Sequence, residues 1–144
     1  VGMAYLARDE GILLLYSTTD FNRTSTTMQL AASLFEECEL PLSLGEILTY
    51  EASLNLQVGL LRQAEEFTNK AKKIFSASHA EQPYADCLTL HGLVAQEFGD
   101  LEKAIENFQL AYQFHQQNPQ AWTLSNDLFT ILTAATQTRL QFGD

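Results

Sequence analysis

Glu97-Phe98-Gly99-Asp100-Leu101-Glu102-Lys103-Ala104 and Gln57-Val58-Gly59-Leu60-Leu61-Arg62-Gln63-Ala64 stand forty residues apart, and laying one on the other decides the fold. The step sets Gly59 on Gly99, Leu61 on Leu101, Ala64 on Ala104 and Ala71 on Ala111. Upstream it sets Leu48 on Leu88 and the small Ala52 on Gly92. Self-similarity at a fixed period of this size marks a stack of supersecondary units. A second step brings Asp20 under Asp100, Phe21 under Leu101, Met28 under Phe108, Ala31 under Ala111 and Leu34 under Phe114. The helix before Asp20 matches poorly, and its Gly11 is one place out of register. Downstream, Phe142-Gly143-Asp144 repeats Phe98-Gly99-Asp100 at an offset of 44.

Each unit reads as a helix, a tight turn at glycine, and a second helix. Leu101, Ala104, Ile105, Phe108, Ala111 and Tyr112 recur at three and four, which is one apolar stripe. Glu102, Lys103, Glu106 and Asn107 take the opposite face. The small residues at Gly92 and Ala95 let the preceding helix come close. Helices are expected near residues 3–17, 22–38, 44–58, 61–77, 84–98, 101–116 and 121–142. Asp100 is a good N-cap for the helix from Leu101. Ser43 and Glu46 have the spacing of a capping box. Pro83 and Pro119 stand where helices begin, so Gln116-Gln117-Asn118-Pro119 reads as a turn between units. Glu66 and Lys70 form a favourable i,i+4 pair.

Composition bounds the function. Of 144 residues, 46% are hydrophobic, and glycine and proline number only 7 and 3. That balance suits one helical domain with a real core. Eighteen acidic residues against eight basic ones give a net charge of −10. Such a field repels phosphate backbones and anionic membranes, and it also serves solubility. Cys38 and Cys87 show no close pairing, which fits a reducing, cytoplasmic setting in which both act as small hydrophobes. Gly11-Ile12-Leu13-Leu14-Leu15-Tyr16 is far shorter than a membrane span, and Arg8, Asp9 and Glu10 interrupt any secretory signal. Asn22-Arg23-Thr24 matches a glycosylation sequon that an intracellular chain would not use.

Leu88, Gly92, Gly99, Ala104, Phe108 and Ala111 resemble the tetratricopeptide repeat signature. Residues 85–118 match best. Residues 45–78 match at Leu48, Ala52, Gly59, Ala64 and Ala71, with Thr68 where the family has an aromatic. Residues 5–38 match on the second helix alone. The period departs from the family's usual 34 residues, and Ala95 and Asn55 replace an aromatic late in the first helix. Lengthened repeats of this kind look similar to those in sensing domains of some large bacterial regulators and in kinesin light chains. The resemblance implies an all-α, right-handed α-α superhelix of about seven helices, with units 5–38, 45–78 and 85–118 and a terminal helix 121–142.

The same resemblance implies a concave groove lined by the first helix of each pair. Carried over position by position, it names Glu46, Thr49, Tyr50, Ser53, Leu56 and Gln57 from one unit. The next supplies Asp86, Thr89, Leu90, Leu93, Gln96 and Glu97. These residues could instead be solvated or packed on a neighbouring helix. Some family members clamp a chaperone's carboxylate tail with groove cations. Here a carboxylate would meet glutamate and aspartate, so a protein or peptide partner that is basic or part-helical fits better.

Residues for chemistry are sparse. His79, His91 and His115 have no metal-ligand spacing, and neither cysteine joins them, so no metal or cofactor is expected. His91 reads as a hydrogen-bonded core imidazole, and His115 as a helix-end cation. Glu36, Glu37 and Glu39 read as a solvated face. Lys70, Lys72 and Lys73 read as complements to a helix dipole or as a contact for an acidic partner. Trp122 reads as a plug between units. Leu128, Phe129, Ile131, Leu132, Ala135 and Leu140 make an apolar helix. It ends at Gly143-Asp144, where a second helix should begin. That pattern suits part of a longer solenoid, a cap, or self-association through Leu128, Phe129, Leu132 and Leu140. The expected function is a non-enzymatic interaction scaffold. The alternative is a sensing or regulatory segment of a larger signalling or transcription-regulatory protein.

Overall fold

A computed structural model describes residues 1–118. In chain order they form α1 (Gly2–Ser17), α2 (Phe21–Glu37), α3 (Pro41–Gln57), α4 (Leu61–Ala77), α5 (Glu81–Phe98) and α6 (Leu101–Gln117), with no strand among the described residues. The expected seventh helix, 121–142, with Trp122, Leu128, Phe129, Leu132 and Leu140, lies outside them. Two- and three-residue connections make consecutive helices antiparallel neighbours. Each helix packs on the next, and α3 also touches both α1 and α5.

The forty-residue period is a period of burial. Thr24, Met28, Ala31 and Phe35 are buried on α2; Ala64, Thr68, Ala71 and Phe75 on α4; Ala104, Phe108 and Ala111 on α6. Spacings of four and three keep each set on one face. The facing rows are Ala4, Ala7, Gly11 and Leu14 on α1, Gly45, Leu48, Ala52 and Asn55 on α3, and Ala85, Leu88, Gly92 and Ala95 on α5. From α3 to α5 the step is forty. From α1 to α3 it is forty-one, matching the displaced Gly11.

The turns explain the extra residue. Gly59 and Gly99 both sit at φ 84, which a glycine adopts without steric cost. There the amides of Leu60 and Asp100 donate back to Asn55 O and Ala95 O at 2.9 Å, closing a Schellman motif. The first pair has no left-handed residue at this place. Thr18 is extended (φ −142, ψ 159), and the Asp20 amide donates to its Oγ1 at 3.1 Å. The turns between pairs close the same motif without glycine, using Glu39 at φ 56 and His79 at φ 54. Glu39 is therefore more than part of a solvated carboxylate row.

Caps differ in the same periodic frame. Asp20 and Asp100 accept from the amides of Arg23 and Lys103 at 3.1 Å, whereas Leu60 offers no side-chain cap. The Ser43–Glu46 capping box is not formed. Helix α3 starts earlier, with Pro41 in its first turn and Leu40 at the N-cap. Proline's fixed φ and missing amide suit that position. Helix α5 likewise starts at Glu81, which places Pro83 inside its first turn. No ion pair joins Glu66 and Lys70; Lys70 Nζ lies 5.8 Å from the Phe67 ring centre instead.

Glycine also sets how closely paired helices approach. A Cβ on Gly45 would lie 2.6 Å from Phe75 Cε1, and one on Gly92 would run into the Phe108 ring. On Gly11 it would lie 3.0 Å from Met28 Cγ. The largest cluster joins Ala4, Ala7, Met28, Ala31, Phe35, Ile47 and Leu54, so the first two pairs share one core.

Candidate functional site

The first helices α1, α3 and α5 bring one row of side chains together. Tyr5 on α1 packs edge-on against Phe35 at 5.1 Å between ring centres, and its hydroxyl lies 3.3 Å from Ser43 Oγ on α3. Arg8, one turn further, stacks 4.9 Å from the Tyr5 ring centre and pairs with Asp9 at 2.8 Å. Its other amino group lies 3.8 Å from Glu46 Oε2 on α3. A guanidinium thus already rests between an aromatic face and two carboxylates on this surface.

Tyr50 is the centre of the row. Burial holds its phenol above the ordinary value, and the fields of Tyr16, Glu46 and Asp86 add to this while Arg8 opposes it. Those influences reach Tyr50 from α1, from α3 and from α5. Of the groove positions read from the sequence, Glu46, Thr49, Tyr50, Ser53, Leu56, Asp86 and Leu93 are half-buried, and Gln57 and Glu97 are exposed. Thr49 donates its hydroxyl to Gly45 O at 2.9 Å, so that proton is engaged within its own helix. Three expected groove residues are buried: Thr89, Leu90 and Gln96 have 1%, 5% and 8% exposure. The row is thus more accessible on α3 than on α5.

Arg8, Tyr5 and Tyr16 escaped the sequence reading because the first unit was aligned in a forty-residue step. A step of forty-one maps Glu46, Thr49 and Gln57 onto Tyr5, Arg8 and Tyr16. The displaced Gly11 was the signal.

A second concavity lies where α4, α5 and α6 meet. It is a cleft of about 270 Å³ lined by Glu65, His91, Val94, Ala95, Phe98, Asp100 and Lys103. Lys103 and Glu65 span it at 3.9 Å, both half-exposed, so their attraction is weak. The Asp100 carboxylate there is engaged in capping α6. His91 is buried, as expected of a core imidazole, but its Nε2 has no hydrogen-bond partner. Burial, helped by Lys72 and Lys103, pushes the imidazole down to about 4, so it is neutral near pH 7.

Burial also governs Cys87, Glu51 and His115. Burial pushes the Cys87 thiol up to about 12, even with Thr49 in hydrogen-bonding reach, so little reactive thiolate exists. Burial also raises the Glu51 carboxyl to about 7. It shares a face with Ile47 and Leu54, and its Oε2 lacks a partner. For His115 too, burial lowers the pKa, which weakens its reading as a helix-end cation. Among the described residues, no group of three or more His, Cys, Asp and Glu is placed to hold a metal. No described helix is long and apolar enough to cross a membrane. The arrangement offers a surface with paired charges and aromatic faces. Comparison with protein-family models, with curated proteins and with solved structures found no match.

Proposed function

We propose that this chain is a tetratricopeptide-like interaction scaffold that holds a basic segment of a partner protein along the shared face of α1, α3 and α5. The observation that carries the reading is the run of contacts across the first helices: Tyr5 and Arg8 of α1 reach Ser43 and Glu46 of α3 at 3.3 and 3.8 Å, α3 also touches α5, and Tyr50 feels charge from all three. Three first helices must line up on one side for this to occur. The contacts of α3 with α1 and α5 support the same alignment, and with it a superhelical stack whose first helices form the concave side. Arg8 supplies the chemical precedent, since a partner's arginine or lysine would find the same combination of ring face and carboxylate near Tyr50, Asp86 and Tyr16. The reading assigns the chain no reaction and no cofactor, and it places it inside the cell, with both cysteines free.

The test is selection of binders from a random peptide display library, followed by titration against groove variants. Selected peptides should be rich in Arg and Lys. They should lose at least about tenfold in affinity to Tyr50→Ala and to Asp86→Lys. Peptides without basic character, or with affinity indifferent to both substitutions, would overturn the reading.

A further inference from the structure

The cleft between α4, α5 and α6 is separate from the groove, because its α5 residues, His91, Val94, Ala95 and Phe98, are none of the groove positions. Its walls combine two chemistries. Val94 and Ala95 are buried and Phe98 is half-exposed, which makes an apolar surface with an open rim. The polar members come one from each helix, Glu65 from α4, His91 from α5 and Lys103 from α6, with Asp100 at the turn. His91 is 8% exposed, and its Nε2 has no hydrogen-bond partner. A polar atom withdrawn from water and left unpaired costs free energy that a ligand can return. The charges that act on this imidazole come from Lys72 of α4 and Lys103 of α6. The local field is therefore positive, although the whole chain carries −10. Lys103 pairs with Glu65 at 3.9 Å, a long contact between half-exposed groups that a closer anion can displace. Asp100 is committed to the Lys103 amide at 3.1 Å.

We propose that this cleft binds a small carboxylic acid with an apolar body. Lys103 takes the carboxylate, the buried imidazole of His91 donates its ring N–H, and Val94, Ala95 and Phe98 hold the body. A neutral imidazole carries one such donor, and a carboxylate is an acceptor only, so the two are complementary. Size limits the body. A dry cavity of roughly 150 Å³ holds a benzene, so about 270 Å³ accepts one ring or a short alkyl chain together with its carboxylate. An amine of the same shape is a poorer occupant. It would gain Glu65 but meet the positive field of Lys72 and Lys103 beside His91. Glu65 competes with the ligand for Lys103 and so acts as a brake on binding. Because all three helices contribute, the bound acid ties the second helical pair to the third.

The probes are benzoate, hexanoate and benzylamine, titrated separately into the 144-residue chain. Binding is followed by the NMR signals of the His91 ring and the Val94 methyls. At least one acid should saturate these signals, and benzylamine should not. Lys103→Gln should weaken the acid at least about tenfold. Glu65→Gln should tighten it about two- to fivefold, the range of a surface ion pair. Both side chains are half-exposed, so both variants should fold, which a circular-dichroism melt checks. The bound acid should also raise the His91 pKa from about 4, because a carboxylate beside the ring favours the imidazolium. The proposal is overturned if neither acid saturates the signals by about 10 mM. It is overturned equally if benzylamine binds as tightly as benzoate, or if Lys103→Gln leaves the acid's affinity unchanged. If Arg8→Gln abolishes binding instead, the acid sits in the groove and the cleft assignment falls.

Discussion

The second and third helical pairs share one plan and fill it with opposite chemistry. Where α3 has Glu51, α5 has His91, and both are buried with an unpartnered polar atom. Ala52 and Thr68 in the second pair correspond to Gly92 and Phe108 in the third, a medium–medium solution beside a small–large one. The period thus specifies a position and a volume shared between two residues, not a residue type. An interior packed at crystal-like density accepts either division if the sum fits.

The strongest way to break this comparison is to remove the large members. Phe75→Ala and Phe108→Ala each take a buried ring from beside a glycine and should cost about 3–5 kcal/mol in urea denaturation. A loss below about 1 kcal/mol would show that the rings do not fill those gaps.

Next comes pH. Glu51 is raised from 4.5 to about 7, so its contribution to stability is whole below about 4.5 and lost as pH rises through about 7. His91 is lowered from 6.5 to about 4, so its contribution is whole above about 6.5 and lost as pH falls through about 4. Each shift corresponds to on the order of 3 kcal/mol, and between about pH 4.5 and 6.5 the two slopes oppose one another. Glu51→Gln should leave stability that rises with pH across this window, and His91→Gln stability that falls. Parallel profiles for the two variants, from denaturation at a series of pH values, would contradict the opposed burial.

The third test transplants one solution into the other pair. Gly92→Ala alone should cost about 1–3 kcal/mol, since its Cβ meets the Phe108 ring. Combined with Phe108→Thr it recreates the Ala52–Thr68 arrangement. The double variant should then be more stable than the sum of the single losses by about 1 kcal/mol or more. Strict additivity would deny the volume sharing.

The smallest effects lie in the turns and caps. Glu39→Gly and His79→Gly place glycine where φ is positive and should each add about 1 kcal/mol. Leu60→Asp supplies the cap that Asp100 gives the third pair and should add about 0.5–1 kcal/mol. Thermal melts of these variants check both, and a lower melting temperature would refute the turn argument.

Much of the helical plan was legible because burial repeats wherever sequence does. Ala31, Ala71 and Ala111 stand at 0% exposure, one period apart. Asp100 as a cap and Gly59 and Gly99 as turns rest on local chemistry that needs no tertiary information. The start of α3 was misplaced because Ser43 and Glu46 formed a plausible local motif, yet Pro41 begins the helix three residues sooner. The groove was legible only in part. Glu46, Thr49, Tyr50 and Ser53 stay accessible on α3, as do Asp86 and Leu93 on α5, but Thr89, Leu90 and Gln96 are buried. Position in a repeat states which way a side chain points, not what covers it.

The sequence by itself determined the helical units, their forty-residue spacing and their turns, because periodicity, capping and glycine conformation act over a few residues of chain. Only the tertiary structure decided that the first pair is offset by one residue and that Arg8 lies between Tyr5 and Glu46. It alone decided that Glu51 and His91 lose their water. These outcomes depend on which helices meet across the stack. Burial and charge pairing are set by neighbours distant in sequence, and no local pattern carries that information.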